Sequence, residues 1–400
     1  MAEERPIYLD HQATTPCDPR VVDAMLPYLT GEFGNAASRT HAYGWNAAAA
    51  VDRARGQVAA LIGADPREIV FTSGATEANN LAILGAARAA LRGGDRDIHL
   101  LTCRTEHRAV LDPCESLKPE GVRVTALDVD ALGRLDAAAF EKALNGGATL
   151  VSLMHANNEI GVVHDIASLS GATRERGVLF HCDAAQSVGK LPVDARALGV
   201  DLLSFTAHKL YGPKGIGALW VRRGDPPVRL VPQILGGGHE RGLRSGTVPV
   251  ALVVAFGVAC EIAAVEREDE ATRLAALRDA LLARLSSELD GVHLNGHAEL
   301  RLPGNLNVSF EGVESEALLM ALPGVALSSG SACTSARPEP SHVLRALGLG
   351  AARAHSAVRI GLGRTTTPGE IERAGSQIVA EVRRLRELSP TWESRGRVRT

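Results

Sequence analysis

The first two-thirds of the chain alternate between short apolar runs and longer segments with helical periodicity. The apolar runs are typical of buried strands and lie at residues 68–71, 98–103, 123–127, 149–154, 178–182, 201–205 and 216–221. Segments between them, such as 75–90, 136–144 and 166–175, have the apolar spacing of helices. This alternation predicts an α/β fold, in which helices cover both faces of a mostly parallel seven-stranded sheet.

The pattern changes near residue 248. A stretch rich in Ala, Leu, Arg and Glu, residues 248–290, predicts one or two long helices. The remainder predicts, in order, a strand at 305–310, a helix at 314–321, a strand at 358–361 and a helix at 368–388. We therefore expect a large domain over residues 17–266 and a smaller α/β domain made of residues 1–16 and 267–400.

Composition excludes several classes of protein. Of the 400 residues, 45% are hydrophobic and the net charge is -3, so no basic surface indicates direct nucleic-acid binding. The six cysteines form no C-x-x-C pair, which favours reduced thiols over a disulfide framework or a zinc site. The polar N-terminus does not resemble a signal peptide, and the longest apolar run, 248–260, is too short to cross a membrane. We expect a soluble cytoplasmic protein.

The most informative residue is Lys209, which follows the predicted strand 201–205. An amine at the end of a buried strand suits a covalent bond to a carbonyl cofactor. Asp183 ends another predicted strand and supplies the acidic partner that a pyridinium nitrogen needs. Taken singly, a solvated loop lysine and a helix-capping aspartate are better interpretations, but together the two strand ends indicate pyridoxal phosphate (PLP).

Other strand ends carry candidate groups with a simpler alternative for each. Residues 72–77 (Thr-Ser-Gly-Ala-Thr-Glu) could bind a phosphate at a helix N-terminus or form an ordinary capping box. His107 could stack on a cofactor ring and move protons, or be structural. Asn158 could orient the ring, or belong to a turn. Thr247, just before a predicted helix, could simply be its N-cap.

Cys333 lies in a segment of small residues, glycine and prolines, the loop at about 328–341. Structural thiols are usually buried, so this cysteine is expected to be exposed and reactive, although an inert surface cysteine is the simpler alternative. No metal-binding motif occurs in the chain, so no metal is expected.

Several separated motifs together resemble the NifS/IscS-type cysteine desulfurases, PLP enzymes of the aspartate-aminotransferase fold (fold type I). The motifs that carry the resemblance lie at residues 13–16, 73–77, 157–161, 208–215, 244–247 and 329–335. The resemblance spans nearly the whole chain and implies conversion of L-cysteine to L-alanine. The sulfur would pass as an enzyme-bound persulfide to acceptor proteins of iron–sulfur cluster assembly or tRNA thiolation.

The resemblance also implies a role for each matched residue of a homodimer. Lys209 would bond to PLP, Asp183 would pair with its ring nitrogen and His107 would move protons. The other implied contacts are Asn158 and Gln186 with the ring oxygen, Ala75, Thr76, Thr206, His208 and the partner subunit's Thr247 with the phosphate, and Arg359 and Asn35 with the substrate carboxylate. Cys333 would accept the sulfur. Alternatives are a selenocysteine lyase or another PLP enzyme of this fold, and a non-catalytic sulfur-trafficking adaptor.

Overall fold

A computed structural model describes residues 5–329, 341–389 and 392 of the chain. The predicted nucleophile Cys333 lies outside these residues. The strands are β1 (Ile7–Tyr8), β2 (Ile69–Thr72), β3 (His99–Cys103), β4 (Arg123–Leu127), β5 (Leu150–Met154), β6 (Leu179–Asp183), β7 (Leu202–Thr206), β8 (Gly217–Val221), β9 (Val292–Leu294), β10 (Asn305–Phe310), β11 (Val325–Ala326), β12 (Ser328–Ser329) and β13 (Ala357–Gly361).

Helices connect and flank these strands. They are α1 (Pro19–Met25), α2 (Pro27–Thr30), α3 (Ala42–Leu61), α4 (Ala75–Arg92), α5 (Arg108–Ser116), α6 (Ala137–Asn145), α7 (Ile166–Arg174), α8 (Val250–Glu288), α9 (Ser315–Ala321), α10 (His342–Ala346), α11 (Ala351–His355) and α12 (Pro368–Glu387). Short 3-10 helices cover Pro66–Glu68, Lys118–Glu120, Ala207–Lys209 and Glu240–Gly242.

The seven-stranded sheet has the order β2-β8-β7-β6-β5-β3-β4. Strand β8 runs antiparallel to both its neighbours, whereas the other pairs are parallel. Residues of β3, β5, β7 and β8 are buried throughout, as expected for strands covered on both faces. The predicted α/β fold with a mostly parallel seven-stranded sheet is confirmed.

The first strand of this sheet begins one residue later than predicted. Pro66 starts a 3-10 turn through Glu68, and Asp65 caps this turn. The Glu68 side chain accepts hydrogen bonds from the Asp65 amide and from Trp220 Nε1, both at 3.0 Å. These bonds hold Glu68 in the turn, so β2 begins at Ile69.

Residues 250–288, for which the sequence predicted one or two helices, form the single helix α8. Its first half contributes residues such as Phe256 and Cys260 to the core beneath the large sheet. Its second half contributes Leu274, Leu281 and Leu285 to a separate core. Apolar side chains on successive turns therefore tie one continuous helix to both cores.

The second core surrounds an antiparallel sheet of order β12-β13-β10-β9. The N-terminal segment joins it, because β1 pairs with β11 and Leu9 is completely buried there. The domain division at residues 266 and 267 stays a prediction. Within the described ranges, no helix has the length and apolar character needed to cross a membrane.

Candidate active site

A cavity of about 930 Å³ opens at the carboxyl ends of β5, β6 and β7. This is where open α/β sheets bind ligands, and the volume suits a small organic cofactor with its substrate. The predicted site residues that line it are Ala75, Thr76, His107, Asn158, Asp183, Gln186, Thr206, His208, Lys209 and Arg359. Residues spread over nearly three hundred positions of sequence therefore meet in one cavity.

Lys209 ends the 3-10 turn that follows β7, so the strand delivers its amine to the cavity. The Lys209 ammonium donates a hydrogen bond to the backbone carbonyl of Gln12. Gln186 Nε2 donates to the same carbonyl oxygen at 2.9 Å, and Lys190 Nζ donates to Gln186 Oε1 at 3.0 Å. The carbonyl of Gln12 thus brings the lysine and the amide together on one wall.

Asp183 is the last residue of β6, and only 5% of its surface is exposed. Its carboxylate accepts hydrogen bonds from Asn79 Nδ2 at 2.7 Å and from the Ala185 amide at 2.9 Å. Asn79 lies about one turn into α4, on the face that packs against the sheet. These two bonds orient a buried carboxylate beside the cavity, as a pyridinium partner requires.

His107 caps the N-terminus of α5, where its Nδ1 accepts a hydrogen bond from the Ala109 amide at 3.0 Å. This bond assigns the proton of the neutral ring to Nε2. Burial lowers the pKa of His107, and the charge of Lys209 lowers it further, while the charge of Asp183 opposes both effects. At neutral pH the imidazole is therefore mainly neutral and able to accept a proton.

The N-terminus of α4 forms the opposite end of the cavity. Gly74 is the N-cap residue, with φ of 156°, and no side chain caps the helix. The capping box, which was the simpler alternative for this segment, is absent, since Glu77 accepts a hydrogen bond from the Ser73 amide at 2.7 Å. A Cβ on Gly74 would lie 3.8 Å from Thr206 Oγ1, so the glycine leaves space between the helix start and β7. An uncapped helix N-terminus beside a hydroxyl suits a phosphate.

Arg359 extends from β13 and is almost fully buried, with 2% of its surface exposed. Its guanidinium is paired with Asp10 at 2.9 Å and donates to the Asn158 carbonyl at 3.2 Å. The Nε–H of Arg359 is buried and has no hydrogen-bond partner among the described residues. A buried donor without a partner at the cavity wall suits a substrate carboxylate.

Two predicted residues, Asn35 and Thr247, do not line this cavity. Both are exposed, and Asn35 Oδ1 accepts a hydrogen bond from the Ala37 amide in its own segment. The described residues on either side of the Cys333 segment do reach the site. Ser328 pairs with Arg359 between β12 and β13, and Ser341 lines the cavity.

The sequence predictions missed two buried carboxyl groups next to predicted residues. Glu106 is completely buried beside His107, and burial raises its pKa well above the usual range, while its Oε1 accepts from the Met154 amide at 2.7 Å. Glu159, beside Asn158, accepts a hydrogen bond from the Ser341 hydroxyl, and burial raises its pKa to about 7. The sequence did contain a signal for both acids, because each is directly adjacent to a candidate site residue, His107 or Asn158.

These groups match the chemistry of PLP. The structure brings together an amine for the carbonyl carbon, an oriented carboxylate for the ring nitrogen and an uncapped helix N-terminus for the phosphate. Lys209 and Asp183 come from neighbouring strand ends of the same sheet. No single group identifies the cofactor, but the set matches its three functional ends.

Known proteins resemble this chain over most of its length. The family model described as aminotransferase class-V matches residues 7–374. The chain is 56% identical to a protein named cysteine desulfurase IscS from Anaeromyxobacter dehalogenans, over 97% of this chain and 95% of that protein.

Solved structures show the same likeness. A structure titled NIFS-like protein superimposes with a TM-score of 0.87 at 34% identity, covering 94% of this chain and 99% of the other. One titled SspA in complex with cysteine gives a TM-score of 0.79 at 37% identity, covering 89% of this chain and 98% of the other. The chain belongs to the PLP-dependent aminotransferase class-V family and, within it, to the cysteine desulfurases of the NifS/IscS type.

Proposed function

We propose that this protein converts L-cysteine to L-alanine and carries the released sulfur as a persulfide on Cys333. The observation that carries the proposal is the single cavity in which Lys209, Asp183 and His107 meet. The relatives named cysteine desulfurase, similar over nearly the whole chain, support the same reaction. PLP, when bound, supplies an electron sink for charge that develops at the substrate Cα.

Lys209 is proposed to hold the cofactor covalently and to exchange with the substrate amine. Its hydrogen bond to the Gln12 carbonyl keeps the amine on the wall where Gln186 also donates. In this proposal Gln186 and Asn158 contact the ring oxygen. Asp183 keeps the ring nitrogen protonated, because a buried ionised carboxylate favours a positive charge beside it.

His107 is proposed to stack on the ring and to transfer protons near the substrate. Its Nδ1 is already an acceptor for the Ala109 amide, so Nε2 is the atom available for proton transfer. The pKa lowered by burial keeps this histidine in the neutral form around pH 7. Such a group contributes to rate by accepting and returning a proton at a fixed position.

The substrate carboxylate is proposed to bind Arg359, whose Nε–H points from a buried position with no partner among the described residues. The pairing with Asp10 holds the guanidinium in place before substrate arrives. Asn35 is proposed to contact the same carboxylate. Asn35 is exposed and does not line the cavity of its own chain, so this contact is carried by the family resemblance alone.

The phosphate is proposed to bind at the start of α4, through Ala75 and Thr76, together with Thr206 and His208. Burial and the nearby Lys209 lower the pKa of His208 to about 4, so this histidine acts as a neutral hydrogen-bonding group. Thr247 is proposed to complete the phosphate site of the other subunit in a homodimer, since it is exposed and does not line the cavity of its own chain.

Exposed apolar side chains support the proposed dimer. Phe33, Tyr43 and Trp45 are each more than half exposed, and Leu235, in the loop that leads to Thr247, is 81% exposed. Exposed apolar surface often marks a protein–protein contact where the residues form a contiguous patch. A second copy of the chain is the proposed partner, because it would bring Thr247 to the site that needs it.

Sulfur transfer is proposed to occur by attack of the Cys333 thiolate on the substrate sulfur. The sulfur's bond to the substrate Cβ breaks, a sulfur–sulfur bond forms on Cys333, and protonation of the carbon product gives alanine. The persulfide then passes to acceptor proteins of iron–sulfur cluster assembly or tRNA thiolation. We propose that this occurs in the cytoplasm, with no direct binding of nucleic acid or membrane.

The experiment that tests the proposal is incubation of the purified protein with L-cysteine, with alanine measured in solution and persulfide mapped by mass spectrometry. The extra sulfur should be found on Cys333 and on none of the other five cysteines. Cys333→Ala should keep PLP absorbance and its response to cysteine, yet produce neither alanine nor persulfide. Sustained alanine production by Cys333→Ala would contradict the mechanism.

A further inference from the structure

Glu77 places a carboxylate at the end of the cavity that is proposed to bind the phosphate. The residue lies in the first turn of α4, lines the cavity and has 15% of its side chain exposed. A phosphate brought to the same helix start would meet a second anion at close range. Two anions in a partly buried site repel each other strongly unless a cation lies beside them.

Protonation of Glu77 does not remove this repulsion, because its carboxyl group stays ionised. Burial acts to raise its pKa, but hydrogen bonds from Arg244 and Ser73 outweigh burial, so the net effect is a lowered pKa. Glu77 therefore remains negatively charged throughout the neutral range. Its neutralisation depends on whichever cation is next to it.

That cation is Arg244, from the loop that also carries Thr247. Arg244 Nε donates to one oxygen of Glu77 at 2.8 Å, and Nη2 donates to the other at 3.3 Å. The Arg244 side chain is 21% exposed, so solvent screens this pair less than a surface ion pair. The two-pronged contact also fixes the direction in which the carboxylate points.

The segment just before Arg244 is held firmly. Glu240 and Arg241 adopt φ of 47° and 57°, a conformation that side-chain-bearing residues rarely take. Glu240 is kept there by two hydrogen bonds of 2.7 Å from Arg55 and one of 2.9 Å from the Phe71 amide. Because Phe71 belongs to β2, the strand that leads into the phosphate turn, this segment and the turn share one anchor.

We propose that Arg244 is a positioning residue for the cofactor phosphate, which it serves by neutralising and orienting Glu77 at the start of α4. Its effect on the cofactor is indirect, through the carboxylate that it holds. The inference rests on the proposed function only in requiring PLP at this site. It does not depend on what reaction the bound cofactor then performs.

The test measures the affinity of apoprotein for PLP and for pyridoxal, which has the same ring and aldehyde but lacks the phosphate. The variants are Arg244→Gln, Glu77→Gln and the double variant. Arg222→Gln is the matched control, since Arg222 pairs with Asp201 at 2.7 Å with similar exposure, and neither residue lines the cavity. Thermal unfolding of each apoprotein checks that the variants are folded.

Arg244→Gln is expected to weaken PLP binding by roughly tenfold or more, because an unpaired carboxylate then faces the phosphate. Pyridoxal binding should change by less than about threefold, and the double variant should recover most of the lost PLP affinity. Arg222→Gln should bind both compounds as the unmodified protein does.

Equal weakening of PLP and pyridoxal by Arg244→Gln would overturn the inference, since it would mean general damage to the site. So would a double variant no better than Arg244→Gln alone, or unchanged PLP affinity in Arg244→Gln. A protein that binds PLP as expected here but releases no alanine from cysteine would refute the proposed function and leave this inference standing.

Discussion

The predicted site residues at the strand ends differ from those on exposed segments in where they lie relative to the cavity. Asp183 and Lys209 follow neighbouring strands of one sheet, and buried partners hold them at the cavity. Asn35 and Thr247 lie on exposed segments and do not line the cavity of their own chain. The strand ends form a site within one chain, whereas the exposed segments are suited to roles that need a substrate or a second chain.

The position of a strand-end residue is set by the hydrogen-bonded register of the sheet. The register of β6 with β7 pairs Asp183 with Ser204, so the sheet itself sets the relation between the carboxylate and the lysine that follows β7. No such ladder fixes Thr247. Substitution of a strand-end residue should therefore have a large effect on the site of its own subunit. Substitution of a residue on an exposed segment should have an effect that depends on dimer assembly.

The largest effect is expected for Lys209→Ala. Loss of the amine that bonds to the cofactor should lower alanine production by roughly a thousandfold or more, because no other group takes over a covalent role. The measurement is turnover with L-cysteine in the presence of saturating PLP. Borohydride reduction and peptide mapping of the unmodified protein should label Lys209, and a label on another lysine would contradict the assignment.

Asp183→Asn should reduce turnover by roughly a hundredfold, because a neutral amide no longer stabilises a proton on the ring nitrogen. Asn79→Ala should cause a smaller loss, since it removes only one of the two hydrogen bonds that orient Asp183. Steady-state rates and the absorbance maximum of the bound cofactor would be measured for both. A larger loss in Asn79→Ala than in Asp183→Asn would reverse the proposed roles.

Thr247→Val should weaken PLP binding by about tenfold, the size expected for one hydrogen bond to a charged group. If Thr247 serves the partner's phosphate, mixing this variant with Lys209→Ala should produce heterodimers with one site that has both residues. At a PLP concentration close to the Kd of the unmodified protein, where the weakened sites of Thr247→Val are mostly empty, activity of the mixture should then exceed that of either variant alone. With subunit exchange verified by mass spectrometry, a mixture no more active than the average of the two variants would count against a shared site.

The smallest effect is expected at Glu159, which lines the cavity and accepts a hydrogen bond from the Ser341 hydroxyl. Burial raises the pKa of Glu159 to about 7 from the usual 4.5, so the folded state binds more protons than the unfolded state between these values. Stability contributed by this group is therefore complete below about pH 4.5 and is lost as pH rises through 7. The loss amounts to about 3 kcal/mol at most.

Glu159→Gln removes this proton and keeps an acceptor for Ser341. The variant should be more stable relative to the unmodified protein at pH 7.5 than at pH 5. Between these two pH values, the difference in melting temperature should shift in favour of the variant by a few degrees. Paired melting curves at the two pH values provide the measurement, and other titrating groups cancel in the comparison. A difference between the two proteins that does not change with pH would show that Glu159 titrates normally.

Sequence patterns predicted the strand ends well because short apolar runs locate buried strands and the residues after them face a ligand site in this class of fold. Lys209, Asp183 and His107 were all found in this way. The partners that orient them were not. Asn79 comes from 104 residues before Asp183, and Gln12 contributes a backbone carbonyl, which no side-chain pattern can indicate.

The other differences between the predicted and the observed elements arise where long-range packing overrides local sequence preference. Periodicity could not tell one helix from two over residues 250–288, because the two halves present apolar residues to different cores. The 3-10 turn at Pro66–Glu68 depends on Trp220, a residue on a strand far along the chain. Similarly, Ser73 and Thr72 look like capping residues in sequence, yet Gly74 takes the cap position.

The continuous helix α8 has a mechanical consequence. Its 39 residues, at about 1.5 Å each, make a rod of roughly 58 Å whose two halves are embedded in different cores. Relative rotation of the cores would have to bend this rod or strip apolar side chains from one of them. We therefore expect the two cores to behave as parts of one stiff frame when substrate enters the cavity.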